Sequence, residues 1–439
     1  MNRLRMGNWM GLAALAAIGA AQAQDVEDWN SKLQSTYVWQ AKPAIRSPYE
    51  GAHSLQGARE KSYSFTATAA FGVRLGRNTE LYFDPEVAQG VPLSGLVGLA
   101  GFTNGEMART SGANPTVYQA RLFARHVIGL SDETEDIAPA MNQLGSKYAT
   151  RRITLTAGNL SVLDIFDANQ FNHDPRSQFL NWTVMTHGAY DFAADARGYT
   201  WGAAAEYQGD GWALRAGRFV QPKEPNQLAL DSRIGRHYGD QLEVERRYEI
   251  DKDMPGFARV LAYRNRAIMA RYDDALALAA ATRSTPALDA VRTSEQSKVG
   301  VGVNLEQTFS PNVGGFLRAM WADGKTETYA FTEADRSFSF GASAKGTSWG
   351  RPSDTLGVAL ASNMLSTPHR RVLAGGGLTF FLGDGKLNYA TEQIFETYYA
   401  LSPAKGLTVS FDYQRIKNPG YNADRGPASF FGVRLHVEN

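Results

Sequence analysis

The sequence predicts an all-β fold: a transmembrane antiparallel β-barrel of about sixteen strands, with long outer loops of which at least one folds into the lumen. Two observations carry that expectation. The first is strict period-2 alternation at the carboxyl end, where Leu407, Val409, Phe411 and Tyr413 interleave with Thr408, Ser410, Asp412 and Gln414. Phe431, Val433, Leu435 and Val437 then interleave with Gly432, Arg434, His436 and Glu438. Alternation of this period gives a strand one apolar and one polar face, and in a closed barrel those faces meet lipid and water. The second is that connections along the chain alternate between short and long, the habit of bacterial barrels with short periplasmic turns and longer outer loops.

Taken in order, the candidate strands are 33–40, 62–75, 80–88, 116–130, 152–160, 199–208, 212–220 and 241–250. They continue with 257–272, 298–309, 314–323, 337–345, 355–362, 392–401, 407–417 and 428–437. Segment 62–75 is the clearest: Tyr63, Phe65, Ala67, Ala69, Phe71 and Val73 alternate with Ser62, Ser64, Thr66 and Thr68, over a length suited to a tilted spanning strand. Connections 76–79, 209–211, 251–256, 310–313 and 402–406 are short, whereas 42–61, 89–115, 161–198, 221–240, 273–297 and 363–391 are long. One connection breaks the pattern, because 131–151 is long and acidic where a short turn is due. Within 273–297, residues 275–281 and 287–291 read as helical.

Residues 1–10 carry Arg3 and Arg5 and no acid, 11–21 form a short apolar run, and Ala21-Gln22-Ala23 is a small-x-small site. This is the pattern of a secretory signal peptide, 1–23, cut before Gln24, leaving a single barrel domain over 24–439. The formal charge of +1 gives no electrostatic basis for a nucleic-acid partner. The absence of cysteine excludes disulfides and thiolate metal sites. The 43 glycines, 22 Phe, 19 Tyr and 8 Trp suit tight turns and interfacial aromatic girdles. Beyond the signal segment no apolar run reaches the roughly 18 residues of a helical span. No glycine run carries the Lys-Ser/Thr of a phosphate loop, and no serine sits in a G-x-S-x-G elbow. Asp164, Asp167, His173 and Asp174 match no calcium-loop spacing, so neither metal nor cofactor is expected.

At 157–202 the stretch AGNLSVLDIFDANQFNHDPRSQFLNWTVMTHGAYDFAADARGYTWG resembles the carbohydrate-selective porin (OprB) family of Gram-negative outer membranes. HRRVLAGGGLTFFLGDGKLNYATEQIFETYYAL at 369–401 and DYQRIKNPGYNADRGP at 412–427 carry the same resemblance, which extends over most of the chain. The resemblance implies a sixteen-stranded outer-membrane barrel that passes small carbohydrates by passive diffusion, surrounded by outer-membrane lipids, without catalysis or cofactor. The chain departs from the family habit at its end, Val437-Glu438-Asn439, where an aromatic residue is usual. Two alternatives stay open at this point: a general or anion-selective porin of the same fold, and an outer-membrane or periplasmic carbohydrate-active enzyme using a carboxylate pair drawn from Glu243, Glu245 and Glu249. Lipid-facing and subunit-facing stripes read alike, so monomer and homo-oligomer are both open.

A sugar channel needs aromatic faces for pyranose rings and polar groups for hydroxyls, held in a wet constriction that binds weakly enough to release. Phase selects the candidates. In 116–130 it places Gln119, Arg121, Phe123 and Arg125 inside, with Tyr118, Ala120, Leu122 and Ala124 toward lipid. It also places inside Glu206, Gln208, Arg215, Glu243, Glu245, Arg247 and Glu249, and Glu392 and Glu396 opposite Phe395 and Tyr399. Arg264 and Arg266 oppose Leu261, Tyr263 and Met269, an assignment that leaves Asn265 facing lipid. The expected pore lining is therefore Arg121, Phe123, Arg125, Glu206, Arg215, Arg247, Arg264, Arg266 and Glu396. Arginines interleaved with acids suit neutral polyhydroxylated solutes better than ions, since anion selection requires an excess of Arg and Lys. Segment 161–198 is the expected constriction, with Asp164, Asp167, Asp174, Arg176 and Trp182 facing the pore and Val162, Leu163, Ile165, Phe166, Phe179 and Leu180 anchoring it. Loop 372–384 is expected to fold inward on its apolar 378–382 run.

Overall fold

The computed structural model describes residues 26–107, 112–251 and 254–439; the expected signal segment lies outside them. Its strands are β1 (Trp29–Lys42), β2 (Glu60–Arg74), β3 (Thr79–Val91), β4 (Thr116–Gly129), β5 (Thr134–Ile137), β6 (Ser146–Ala149), β7 (Arg152–Leu160), β8 (Thr200–Gly209) and β9 (Trp212–Val220). They continue as β10 (Tyr238–Glu249), β11 (Pro255–Ile268), β12 (Glu295–Ser310), β13 (Val313–Ala322), β14 (Arg336–Gly346), β15 (Arg351–Met364), β16 (Glu392–Ala404), β17 (Leu407–Lys417) and β18 (Ala428–Glu438). All except β5 and β6 close one antiparallel barrel of sixteen strands. β1 seals it against β18 over the register Gln34↔Glu438 to Ala41↔Phe431, so the barrel sheet has no open edge. Each of the sixteen strand segments expected from the sequence coincides with one barrel strand.

The alternation has its physical cause in the two environments. β1 turns Thr36, Val38, Gln40 and Lys42 into the barrel, where they are buried, and Tyr37 and Trp39 outward. The outer face carries exposed Phe71, Leu214, Val260, Phe340, Phe411 and Val437, the apolar band of a membrane barrel, with Trp201, Trp212 and Trp321 among its aromatics. Among the described residues no helix is long and apolar enough to cross a membrane.

The lumen is filled. Segments 92–107, 161–199 and 326–335, and residues Phe381 and Leu382, run largely buried inside the sheet. They build two apolar clusters. One gathers Phe102, Phe179, Trp182, Phe381 and Tyr421, the other Tyr82, Phe123, Phe166, Tyr190 and Phe192. Glycine gives them room: a Cβ at Gly314 on β13 would stand 1.9 Å from the Phe171 ring. Loop 372–384 enters through Phe381 and Leu382, while Leu378 stays exposed. The long connections also carry helices α1 (Trp182–Met185), α2 (Tyr272–Thr282) and α3 (Thr367–Ala374); α2 covers the run 275–281 read as helical, while 287–291 holds only a short 3-10 turn at Asp289–Val291.

This packing corrects two phase assignments. On β11 the inward residues are Leu261, Tyr263 and Asn265, and Arg264 and Arg266 face outward. Leu261 and Tyr263 read as lipid-facing because they are apolar, yet they cover an apolar part of the inserted segment: Tyr190 and Tyr263 lie 5.5 Å apart between ring centroids, and Tyr263 Oη donates to the Ala189 carbonyl at 3.2 Å. On β4, the register slips between Asp84 and Pro85 of β3, because proline has no N–H for the ladder and is accommodated at a bulge. The slip turns Tyr118 inward and leaves Gln119 exposed, while Arg121, Phe123 and Arg125 keep the expected inward phase.

The anomalous connection 131–151 is the β5–β6 hairpin. Its tip folds back into the barrel mouth at the short-turn end. The Leu144 N–H donates to Tyr82 Oη at 3.0 Å, Asn142 Nδ2 to Asp84 at 2.8 Å, and Arg125 Nη1 to Gln143 Oε1 at 3.1 Å.

Candidate functional site

Polar residues of the barrel wall hold segment 161–198 across the lumen. It opens on a capping box, Ser161 with Asp164, which satisfies backbone donors at the turn. Asp167 is fully buried, accepts from Arg318 Nε at 2.9 Å and from Asn304 Nδ2 at 2.5 Å, and also bonds Thr186 Oγ1. Its own N–H donates to Glu243 at 2.8 Å. The Gln170 N–H donates to Glu306 at 2.7 Å, and that of Leu180 to Glu396 at 2.5 Å. Arg434 donates to the carbonyls of Pro175 and Gln178 at 2.6 and 2.7 Å. Strands β10, β12, β13, β16 and β18 thus each contribute an ionisable side chain that bonds loop backbone or Asp167. Burial opposes ionisation of Asp167, but Arg318 outweighs it and holds the carboxyl down at about 2.

What this segment leaves open is a cavity of about 350 Å³ between it, β3 and β4. On one side Arg121 makes a bidentate pair with Asp164, at 2.7 and 2.6 Å, and lies 3.5 Å from Asp84. On the other Arg176 reaches Glu106 at 3.0 Å and Glu86 at 3.3 Å. Burial disfavours the charge on Asp164, yet Arg121 keeps its carboxyl below the usual range. Tyr118 and Tyr199 stand 6.2 Å apart. The Arg197 guanidinium lies 4.2 Å from the Tyr118 ring centre, and that of Arg121 lies 5.2 Å from that of Tyr199. The wall therefore offers aromatic faces and fixed hydrogen-bonding groups, its arginines facing the carboxylates of Glu86, Glu106, Asp164 and Asp174. A second cavity of about 230 Å³ lies toward the short-turn end, and Asp164 lines both. Its wall includes Arg125, Arg152, Glu206, Gln208 and Arg215, with Arg215 bonded to Glu206 at 3.2 Å and to Glu243 at 2.8 Å.

Of the residues expected from sequence, Arg121, Asp164, Asp174, Arg176 and Trp182 line the first cavity, and Arg125, Glu206 and Arg215 line the second. Trp182 does so mainly as packing, stacked 5.3 Å from Phe331 with its indole N–H on the Asn104 carbonyl at 2.8 Å. The others are corrected. Asp167 and Glu396 are buried anchors of the loop backbone. Phe123 points inward but is covered, stacked 4.9 Å from Tyr82. Arg247 sits at the short-turn rim, exposed and paired with Glu249 at 3.2 Å. Arg264 and Arg266 lie on the outer face, and Arg266 pairs with Glu295 at 2.6 Å. Sequence reasoning missed Glu86, Glu106, Tyr118, Tyr199, Arg152 and Arg197. The even phase of 80–88 carried a signal for Glu86, while Tyr118 was hidden by the bulge.

The model of the carbohydrate-selective porin, OprB family, matches residues 52–438. The chain belongs to the carbohydrate-selective porin (OprB) family. As a member it is a porin of the bacterial outer membrane for sugars, a channel rather than an enzyme. No curated protein matches the chain. Among solved structures it is similar to OprB of Pseudomonas putida, at a TM-score of 0.73 and 15% identity, covering 94% of each chain. It is also similar to OccAB1 of Acinetobacter baumannii, at a TM-score of 0.48 and 13% identity, over 94% of this chain and 97% of that one. OccK2 (OpdF) of Pseudomonas aeruginosa matches at a TM-score of 0.46 and 10% identity, over 94% and 98%.

Proposed function

We propose that neutral sugars cross this porin through the two cavities in series, and that the Arg121–Asp164 and Arg176–Glu106 pairs form its selective constriction. The long-loop rim faces outward, and the signal segment 1–23 is removed on export. A sugar enters the first cavity, lays a ring face against Tyr118 or Tyr199, and exchanges hydroxyl hydrogen bonds with the paired charges. It then passes Asp164 into the second cavity and leaves past the β5–β6 hairpin. No step makes or breaks a covalent bond.

The observation that carries this reading is the pairing itself. Each arginine at the constriction already has a carboxylate, so a solute finds directional donors and acceptors and no uncompensated cation to trap an anion. Anion selection would need uncompensated cations there. The test is swelling of liposomes loaded with the purified protein. Hexoses are expected to permeate faster than hexuronates or protonated hexosamines of similar size. Faster hexuronate entry would return the protein to the anion-selective alternative, and equal rates for all three would make it a general porin.

A further inference from the structure

The outer face of the barrel carries an apolar groove of about 400 Å³ across β14–β17. Phe338 and Phe340 form one wall, 5.7 Å apart; Leu360 and Phe395 form the other, and Ser362 forms the floor. The depression follows from register: Phe338 pairs with Ser362 and Ser362 with Gln393, so a small side chain lies between larger ones. Phe338, Phe340 and Leu360 are exposed, as membrane-facing residues are, and Phe395 is half-buried.

Charge singles this face out. At the long-loop end of the groove stand Arg415 and Lys417, both exposed, with Arg336 exposed on the opposite side, one outward position beyond Phe338. Near the cations the outward residues of these four strands include no acid: below them they run Ala342, Ala344, Val358, Leu356, Thr397, Tyr399, Tyr413, Phe411 and Val409, and Asp354, in the same phase near the short-turn end, pairs with Arg351. Among the described residues none of the three cations makes an ion pair. The basic cluster around β9–β12 differs, because Asp240 takes Arg218 at 2.7 Å and Glu295 takes both Arg236 and Arg266, at 2.5 and 2.6 Å. Those three arginines have carboxylate partners within the protein; Arg336, Arg415 and Lys417 have none among the described residues.

We propose that the β14–β17 groove is a binding site for a phosphorylated, acylated lipid of the outer leaflet. An acyl chain lies along Phe338, Phe340, Leu360 and Phe395, and the headgroup phosphate bridges Arg415 and Lys417, with Arg336 closing the other side. Guanidinium and ammonium groups at a membrane interface bind phosphate by charge-assisted hydrogen bonds, and the groove supplies the apolar contact that a free phosphate ion could not use. A second copy of the chain offers no complement on its own corresponding surface, since that patch would set the same three cations against themselves.

The test is native mass spectrometry of the detergent-purified full chain, offered a bis-phosphorylated, multiply acylated glucosamine disaccharide and the same lipid stripped of its phosphates. The phosphorylated lipid is expected to be retained. Arg415→Ala/Lys417→Ala should lower its retention roughly tenfold, the loss of about 1.4 kcal/mol. The charge-preserving Arg415→Lys/Lys417→Arg variant should keep it, as should Arg218→Ala, which removes a cation already paired. Heat-modifiable gel mobility confirms that each variant is folded. Retention unchanged in the alanine double variant overturns the proposal. So does equal retention of the dephosphorylated lipid, equal loss in Arg218→Ala, or a dimer that the double variant dissolves, which would make the groove a contact between subunits.

Discussion

Two segments close the lumen from opposite ends, and they do so by different means. Segment 161–198 is built in: Asp167 and Arg318 are fully buried against each other, and ionisable wall side chains on five strands hold its backbone. The β5–β6 hairpin is laid on. Its tip buries Leu144 and bonds Arg125 and Asp84, but its own ion pair, Lys147 with Asp136 at 3.8 Å, lies in solvent, and the partner of Arg152 on β7, Glu135 at 2.6 Å, is itself partly exposed. A buried charge whose partner is removed is expensive, whereas an exposed pair contributes little. Segment 161–198 is therefore a fixed part of the fold, and the hairpin is the more readily displaced closure.

The largest effect is expected where the built-in segment is broken. Asp167→Asn keeps the shape but strands the buried Arg318 guanidinium, a loss of about 3–5 kcal/mol for one partner of a buried pair. The melting temperature should fall, read by heat-modifiable mobility, and single-channel conductance should rise as the segment loosens. An unchanged melt and conductance would show that Asp167 does not hold the loop.

Acid should separate the two regions without mutation. Burial pushes His187, which faces Asp167 and Arg318, down from 6.5 to about 4, and Asp167 itself lies at about 2 against an ordinary 3.8. In both windows the unfolded chain binds more protons than the folded one, so the anchoring of 161–198 weakens as pH falls from 6.5 to 4, and again below 3.8. Hydrogen exchange followed over that range should show protection lost first around 183–188, with 144–149 of the hairpin little changed. Loss confined to the hairpin would reverse the comparison.

The smallest effect belongs to the hairpin surface. Lys147→Ala removes an ion pair exposed on both sides, and should shift stability by less than about 1 kcal/mol with conductance unaltered. A clear conductance change would mean that this pair fixes the width of the short-turn mouth.

The barrel was legible because membrane and water impose opposite demands on alternate residues, so 62–75 and 407–417 announced their faces. Lumen contents were less legible. Leu261 and Tyr263 face inward onto Tyr190 and Ala189, and in sequence an apolar residue against an inserted loop looks the same as one against lipid. Asn265 was the clue: an amide facing lipid is costly, and it in fact bonds the Asp191 carbonyl inside. Arg121, Asp164 and Arg176 were found as candidates from phase and loop length. That Asp164 joins Arg121, or that Glu396 serves Leu180, depends on pairings more than forty residues apart, which periodicity does not encode.

In the proposed passage, paired arginines at the first cavity bind a neutral sugar in transit. Single-channel current across a planar bilayer, with mono- and disaccharides titrated against the open level, tests it most directly. Saturable block by the sugar is expected, weakened roughly tenfold, about 1.4 kcal/mol, in Arg121→Ala/Arg176→Ala while the barrel stays folded. Block of the same strength in the double variant would place the sugar's binding site elsewhere in the pore.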